Sequence, residues 1–156
     1  MISFGYDDLI ILVTAAISTL GYSILFRLKP VRLPFAVLGG FLASLVYLIM
    51  KDLVDNEFLA NFVAATVVST YSELCAYYLK APTTVFLAPS NIPLVPGGAL
   101  YWAMDSLMRG NMEAFLEYGS TASLTALGIA SGIISVSLAF VGIRRIISRT
   151  KKRSGQ

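Results

Sequence analysis

The sequence predicts an all-α integral membrane protein with five transmembrane helices, the fourth of them discontinuous. Three observations predict it. Of 156 residues, 56% are hydrophobic and 13% charged, about half the roughly 25% charged share of soluble domains, and the mean hydropathy is +0.75. Charges divide the chain into five apolar runs, at residues 9–26, 33–50, 58–79, 81–104 and 118–143. Each approaches or exceeds the about 20 residues that a helix needs to cross hydrocarbon. The fourth run, APTTVFLAPSNIPLVPGGALYWAM, carries no charge yet holds Pro82, Pro89, Pro93, Pro96 and the pair Gly97-Gly98.

The whole chain, 1–156, reads as a single membrane domain, and the longest remainder is the basic tail 144–156. There is no histidine and one cysteine, Cys75. That composition excludes histidine acid–base catalysis, Ser-His or Cys-His triads, multi-Cys or histidine metal sites, and intrachain disulfides. No enzyme activity, catalytic residue, metal or cofactor is expected. The opening MISFGYDDLI has acids where a secretory signal has Lys or Arg, so the first run is read as a retained helix.

The second run carries a stripe of small residues, Ala36, Gly40 and Ser44, and the fifth carries Gly128-Ile-Ala-Ser-Gly132. Such spacings let membrane helices approach closely, and packing is the role expected of both. The third run is interrupted only by Glu73. Ionisable residues within spans are rare and tend to be functional, so Glu73 is a candidate coupling or proton-carrying residue. Snorkelling toward Lys80 is its structural alternative. Cys75 is expected to be a buried apolar residue, and Trp102 to sit at a membrane interface.

The fourth run is the irregular one. Proline lacks an N–H and clashes with the carbonyl four residues back, so Pro93 and Pro96 should free the carbonyls of Pro89 and Ile92. Pro96 followed by Gly97-Gly98 reads as a new helix start. The expected pattern is half-helix, SNIPLVP linker, half-helix, with the linker near mid-membrane. Irregular backbone at that depth is tolerated where it is buried in protein or lines a watery cavity. A half-helix N-terminus suits an anion, and transporters place substrates at such breaks. The candidate substrate-binding residues are Asn91, Pro93, Pro96, Gly97, Gly98 and Tyr101. A purely structural kink is the alternative.

Basic residues set the expected orientation. With the N-terminus outside and five crossings, Arg27, Lys29, Arg32, Lys80 and the six basic residues of the tail fall on the cytoplasmic side, ten of twelve. Eight of nine acids, Glu57 among them, then fall outside. If the fourth run turned back instead, the basic residues would divide seven to five. Twenty-four helical residues reach about 36 Å, enough for one crossing and too few for two. The tail RRIISRTKKR fits a topology anchor meeting anionic lipid headgroups, and nucleic-acid binding is not expected.

IPLVPGGALY, preceded by LKAP and by an acid in the helix before, resembles the threonine/serine exporter family, in its small split-subunit form. The matching positions are Pro82, Pro93, Leu94, Val95, Pro96, Gly97 and Tyr101, with Glu73 as the acid. The resemblance implies a secondary exporter subunit in a bacterial cell membrane. It implies a partner, a larger subunit with five helices and a soluble domain. It also implies a small-molecule substrate, threonine or serine, or for some split pairs a dicarboxylate such as succinate. An odd number of crossings starting outside is what the second half of an inverted pair requires, and no repeat occurs within the chain. A homo-oligomer is the other assembly open to it, and a non-transporting membrane scaffold the other function.

Overall fold

A computed structural model describes residues 5–54 and 56–153, with side chains as far as Ile143. The expectations placed on residues 1–4, on Asp55 and on the side chains of the basic tail lie outside the described residues. The chain forms six α-helices among the described residues: α1 (Tyr6–Leu25), α2 (Leu33–Leu53), α3 (Glu57–Tyr78), α4 (Thr84–Asn91), α5 (Gly97–Met108) and α6 (Met112–Arg153). Two 3-10 turns, Pro30–Arg32 and Ile92–Leu94, precede α2 and follow α4. Four stretches are long and apolar enough to cross a membrane: Tyr6–Leu25, Pro30–Leu53, Glu57–Tyr78 and Met112–Ile143. The fourth apolar run contributes no long helix, being divided between α4 and α5.

Local chemistry sets the ends. The Asn56 carboxamide accepts from the Leu59 N–H at 3.2 Å and starts α3, and Asn111 does the same for Ala114 at 3.2 Å. This second cap starts α6 at Met112, six residues before the apolar run at 118. α1, α3 and α5 all end with one residue in the left-handed region: Arg27 (φ 54°), Lys80 (φ 46°) and Gly110 (φ 74°). In each case the following N–H reaches back five residues, Leu28 to Ser23, Ala81 to Ala76 and Asn111 to Ser106. That closure satisfies helix carbonyls that would otherwise be orphaned. The tail continues α6 in helical form to Arg153.

The interior is built from small side chains. Ala36, Ala43, Ala60, Ala64, Ala65 and Val68 are fully buried or nearly so, whereas large residues such as Ile17, Leu38, Leu124 and Leu138 lie on the outside. Lipid is as apolar as leucine, so helices here associate through close van der Waals contact rather than hydrophobic burial. α6 meets α3 through its two spaced glycines. A Cβ at Gly128 would lie 2.5 Å from the Phe58 carbonyl oxygen, and one at Gly132 2.8 Å from that of Phe62. α2 meets α1 at Gly40, where a Cβ would strike the Thr19 side chain, and meets α4 at Gly39, where it would strike Ser90. Two hydroxyls fasten neighbouring helices to α2: Tyr71 donates to the Phe35 carbonyl at 2.9 Å and Ser90 to that of Ala36 at 3.1 Å.

Helix directions follow from these pairings. Gly128 opposes Phe58 and Gly132 opposes Phe62, so α3 and α6 run in the same sense. Phe86 packs with Cys75 and Ala76, and Leu94 with Ala64, Ala65 and Val68, so α4 and the turn after it run against α3. α5 joins α6 through a three-residue turn and packs along it, so α5 also runs against α3.

Candidate functional site: a cavity beside the interrupted fourth segment

The interruption is built by its prolines. Pro89 lies inside α4 and Pro93 inside the 3-10 turn. The Ile92 N–H bonds to the Pro89 carbonyl and the Val95 N–H to the Ile92 carbonyl at 3.1 Å. These shorter-range bonds take up the two carbonyls that the sequence suggested would be free, which corrects that expectation. 3-10 pairing is the usual way in which a helix end tightens to satisfy such groups. Val95 is extended (φ −61°, ψ 128°). The Gly97 N–H reaches back to the Val95 carbonyl at 2.7 Å, and regular pairing resumes at Leu100 with the Pro96 carbonyl at 3.0 Å. The Ala99 N–H, in the first turn of α5, finds no acceptor among the described residues.

A cavity of about 220 Å³ opens beside this turn. Its floor is Pro93 to Pro96 with Ala99, and its walls are Tyr47 of α2, Glu57 and Asn61 of α3, and Thr121 and Thr125 of α6. The parallel packing of α3 on α6 sets Asn61 close to Gly128, whose Cβ would lie 3.2 Å from the Asn61 Cβ. Four helices and the turn thus converge on one space. A smaller cleft of about 80 Å³, bounded by Lys51, Val54, Asn56 and Ala60, shares Glu57 as its boundary.

Glu57 is the charged centre of this cavity. Its Oε2 accepts from the Tyr47 hydroxyl at 3.2 Å and, more weakly, from the Asn61 Nδ2 at 3.5 Å. Asn61 is held by a second, shorter bond from the same nitrogen to the Glu57 carbonyl at 2.8 Å. Both side-chain donors to the carboxylate are neutral, and no cation among the described residues lies within ion-pair distance of it. The Lys51 ammonium instead stands 5.8 Å over the Tyr47 ring. On the α6 wall Thr121 donates to the Glu117 carbonyl at 3.1 Å. Thr125 is only 5% exposed, and its side chain makes no hydrogen bond among the described residues. Among those residues no group of three His, Cys, Asp or Glu lies close enough to hold a metal ion.

The structure brings together some of the residues singled out in the sequence and separates others. Pro93 and Pro96 line the cavity. Gly97 and Gly98 begin α5 with open space where a Cβ would stand. Asn91 is buried at the end of α4; its Nδ2 donates to the Leu87 carbonyl at 2.9 Å, while its Oδ1 is buried without a partner. Tyr101 is exposed and packs edge-on against Trp102, with ring centroids 5.2 Å apart. Glu73 is half-buried on α3, sixteen residues beyond Glu57, about 24 Å along the axis, and does not border the cavity. Sequence reasoning missed Tyr47, Glu57, Asn61, Thr121 and Thr125. Glu57 was counted among the outer loop acids. The available signal was its place four residues before Asn61, one turn apart on the same face of α3.

A family model described as "Threonine/Serine exporter, ThrE" matches residues 11–139. No solved structure matches the chain. The match takes in the second, third and fourth apolar runs, most of the first and fifth, the PLVP turn and every residue of the cavity, and the chain belongs to the threonine/serine exporter family, a family of multi-pass membrane transporters.

Proposed function

We propose that this chain is the small membrane half of a secondary exporter of threonine and serine in a bacterial cell membrane, working with a larger subunit of the same family. The observation that carries the reading is the cavity against the PLVP turn, with a carboxylate among the polar side chains on its walls. A packed, dry turn would suit a scaffold; a cavity with a carboxylate, an amide and two threonine hydroxyls on its walls suits the passage of a polar solute.

The fold supports five crossings with the fourth discontinuous. α4, the turn and α5 run from Thr84 to Met108, about 36 Å, against a hydrocarbon thickness of about 30 Å. α4 and α5 run in the same sense, and α3 and α6 are parallel. A fourth segment that turned back would leave α6 antiparallel to α3. With the N-terminus outside, the α2–α3 junction and the α5–α6 turn share the outer face, and Glu57, the first residue of α3, lies at that end of the cavity wall. Glu73, set near the inner end of α3, is in this reading the candidate for proton coupling. Gly97 and Gly98 let a ligand carboxylate approach the start of α5.

Everted membrane vesicles test the reading, because uptake into them is export. Vesicles from cells carrying the chain and its native partners should take up labelled L-threonine, and vesicles from cells lacking it should lose most of that uptake. Gly98→Val should insert normally, since its surroundings are open, yet lose uptake. Equal uptake with and without the chain removes the exporter reading.

A further inference from the structure

We propose that Glu57, assisted by Thr125, is the specificity-determining group of the cavity: it binds the ammonium of the substrate, so that the site accepts a zwitterionic amino acid and rejects a dicarboxylate. The inference rests on the cavity being the substrate site.

Three observations carry it. Among the described residues the cavity wall provides one carboxylate and no base; Lys51 borders the neighbouring cleft and stands over the Tyr47 ring. Glu57 is held by two neutral donors, the Tyr47 hydroxyl and the Asn61 amide. These fix the carboxylate without cancelling its charge. An uncompensated charge at the edge of hydrocarbon is unfavourable until a cation arrives, and an ammonium with its three donors fits the vacant acceptor positions of a carboxylate. Thr125 supplies the second contact: the residue is only 5% exposed, lines the same cavity and makes no side-chain hydrogen bond among the described residues.

The far end of the ligand finds the opposite sign. Ala99 also lines the cavity, and its unbonded N–H belongs to the first turn of α5, where the helix dipole is positive and carboxylates are favoured. Glu57 at one boundary and the start of α5 at the other give the cavity a negative and a positive pole. That is the charge pattern of an amino acid. A dicarboxylate could satisfy the α5 end, but its second carboxylate would then meet Glu57 in a medium of low dielectric, where like charges repel strongly. The volume, about 220 Å³, lies below the roughly 300–1,000 Å³ of pockets for drug-sized ligands and suits a ligand of amino-acid size.

Everted vesicles from cells carrying the native assembly provide the test. Labelled L-threonine uptake is measured with threonine amide, N-acetylthreonine or succinate as competitor, alongside labelled succinate uptake. Threonine amide, which keeps the ammonium, should compete; N-acetylthreonine and succinate, which lack it, should not, and succinate should not be carried. Glu57→Gln should lower threonine uptake at least tenfold at matched membrane abundance, Glu57→Asp should retain more uptake than Glu57→Gln, and Thr125→Val should lower uptake severalfold. Wild-type uptake by Glu57→Gln, or succinate carried as well as threonine, overturns the inference. If removing the whole chain abolishes uptake while Glu57→Gln does not, the exporter reading stands and this assignment alone falls. If removing the chain changes nothing, both fall.

Discussion

Replacing Gly128 by alanine adds one methyl group where α6 touches α3. Its Cβ would sit 2.5 Å from the Phe58 carbonyl oxygen and 3.2 Å from both the Asn61 Cβ and the Phe62 N. Ordinary contact begins at 3.4 Å, so the helices must part by roughly 1 Å, and the nearest atom is backbone that cannot swing aside. Overpacking of this kind costs about 1–3 kcal/mol. Titration of the purified chain from mild detergent into SDS, followed by circular dichroism, measures that loss. Gly132→Ala should behave similarly, with its Cβ 2.8 Å from the Phe62 carbonyl oxygen and 2.9 Å from the Ala65 Cβ. Gly119→Ala and Gly142→Ala, whose surroundings are open, should lose nothing. Because the displaced wall carries Glu57 and Asn61, Gly128→Ala should also lower threonine uptake. Unchanged stability in Gly128→Ala, within about 0.5 kcal/mol, would refute the close α3–α6 contact on which the cavity depends.

Tyr71→Phe removes the hydroxyl that donates to the Phe35 carbonyl at 2.9 Å; it should cost about 0.5–1.5 kcal/mol of stability and leave substrate preference unchanged, as a thermal melt and a competition assay would show. Tyr47→Phe removes the donor that holds Glu57 at 3.2 Å; it should raise the threonine KM severalfold in the vesicle assay while the melting temperature moves little. A cysteine at Arg109, whose exposed pair with Asp105 contributes under about 1 kcal/mol, should react with an impermeant thiol reagent in intact cells, and one at Lys29 should not. The reverse labelling pattern would invert the proposed orientation.

Much of the architecture is legible in the residue pattern, because charges in lipid are confined to a few places. The first three apolar runs and the fifth correspond closely to α1, α2, α3 and the membrane part of α6. The prolines and glycines of the fourth mark where α4 gives way to α5. The spaced glycines at Gly128 and Gly132 mark a helix contact because only a missing side chain allows that approach. Other features need three dimensions. The sequence shows which hydrogen bonds Pro93 and Pro96 cannot make, but not that Ile92 and Val95 turn back to re-pair the freed carbonyls. Asn61, Thr121 and Thr125 are ordinary polar residues of membrane helices, where they usually bond to their own backbone, as Thr121 does. Glu57 lies next to a loop in the chain and reads as one of its acids. Only the packing of α2, α3 and α6 around the PLVP turn turns it into the charge of a cavity.

Protection of a single cysteine tests the central claim most directly. Thr125→Cys, in a chain whose buried Cys75 is replaced by alanine, places a thiol on the α6 wall of the cavity. In the membrane-embedded assembly a small water-soluble thiol reagent should modify it, and L-threonine should slow that modification in a concentration-dependent way, whereas succinate should not. A thiol at Thr125 that stays inert, or that reacts at the same rate with and without L-threonine, would contradict the claim that substrate occupies the cavity beside the interrupted helix.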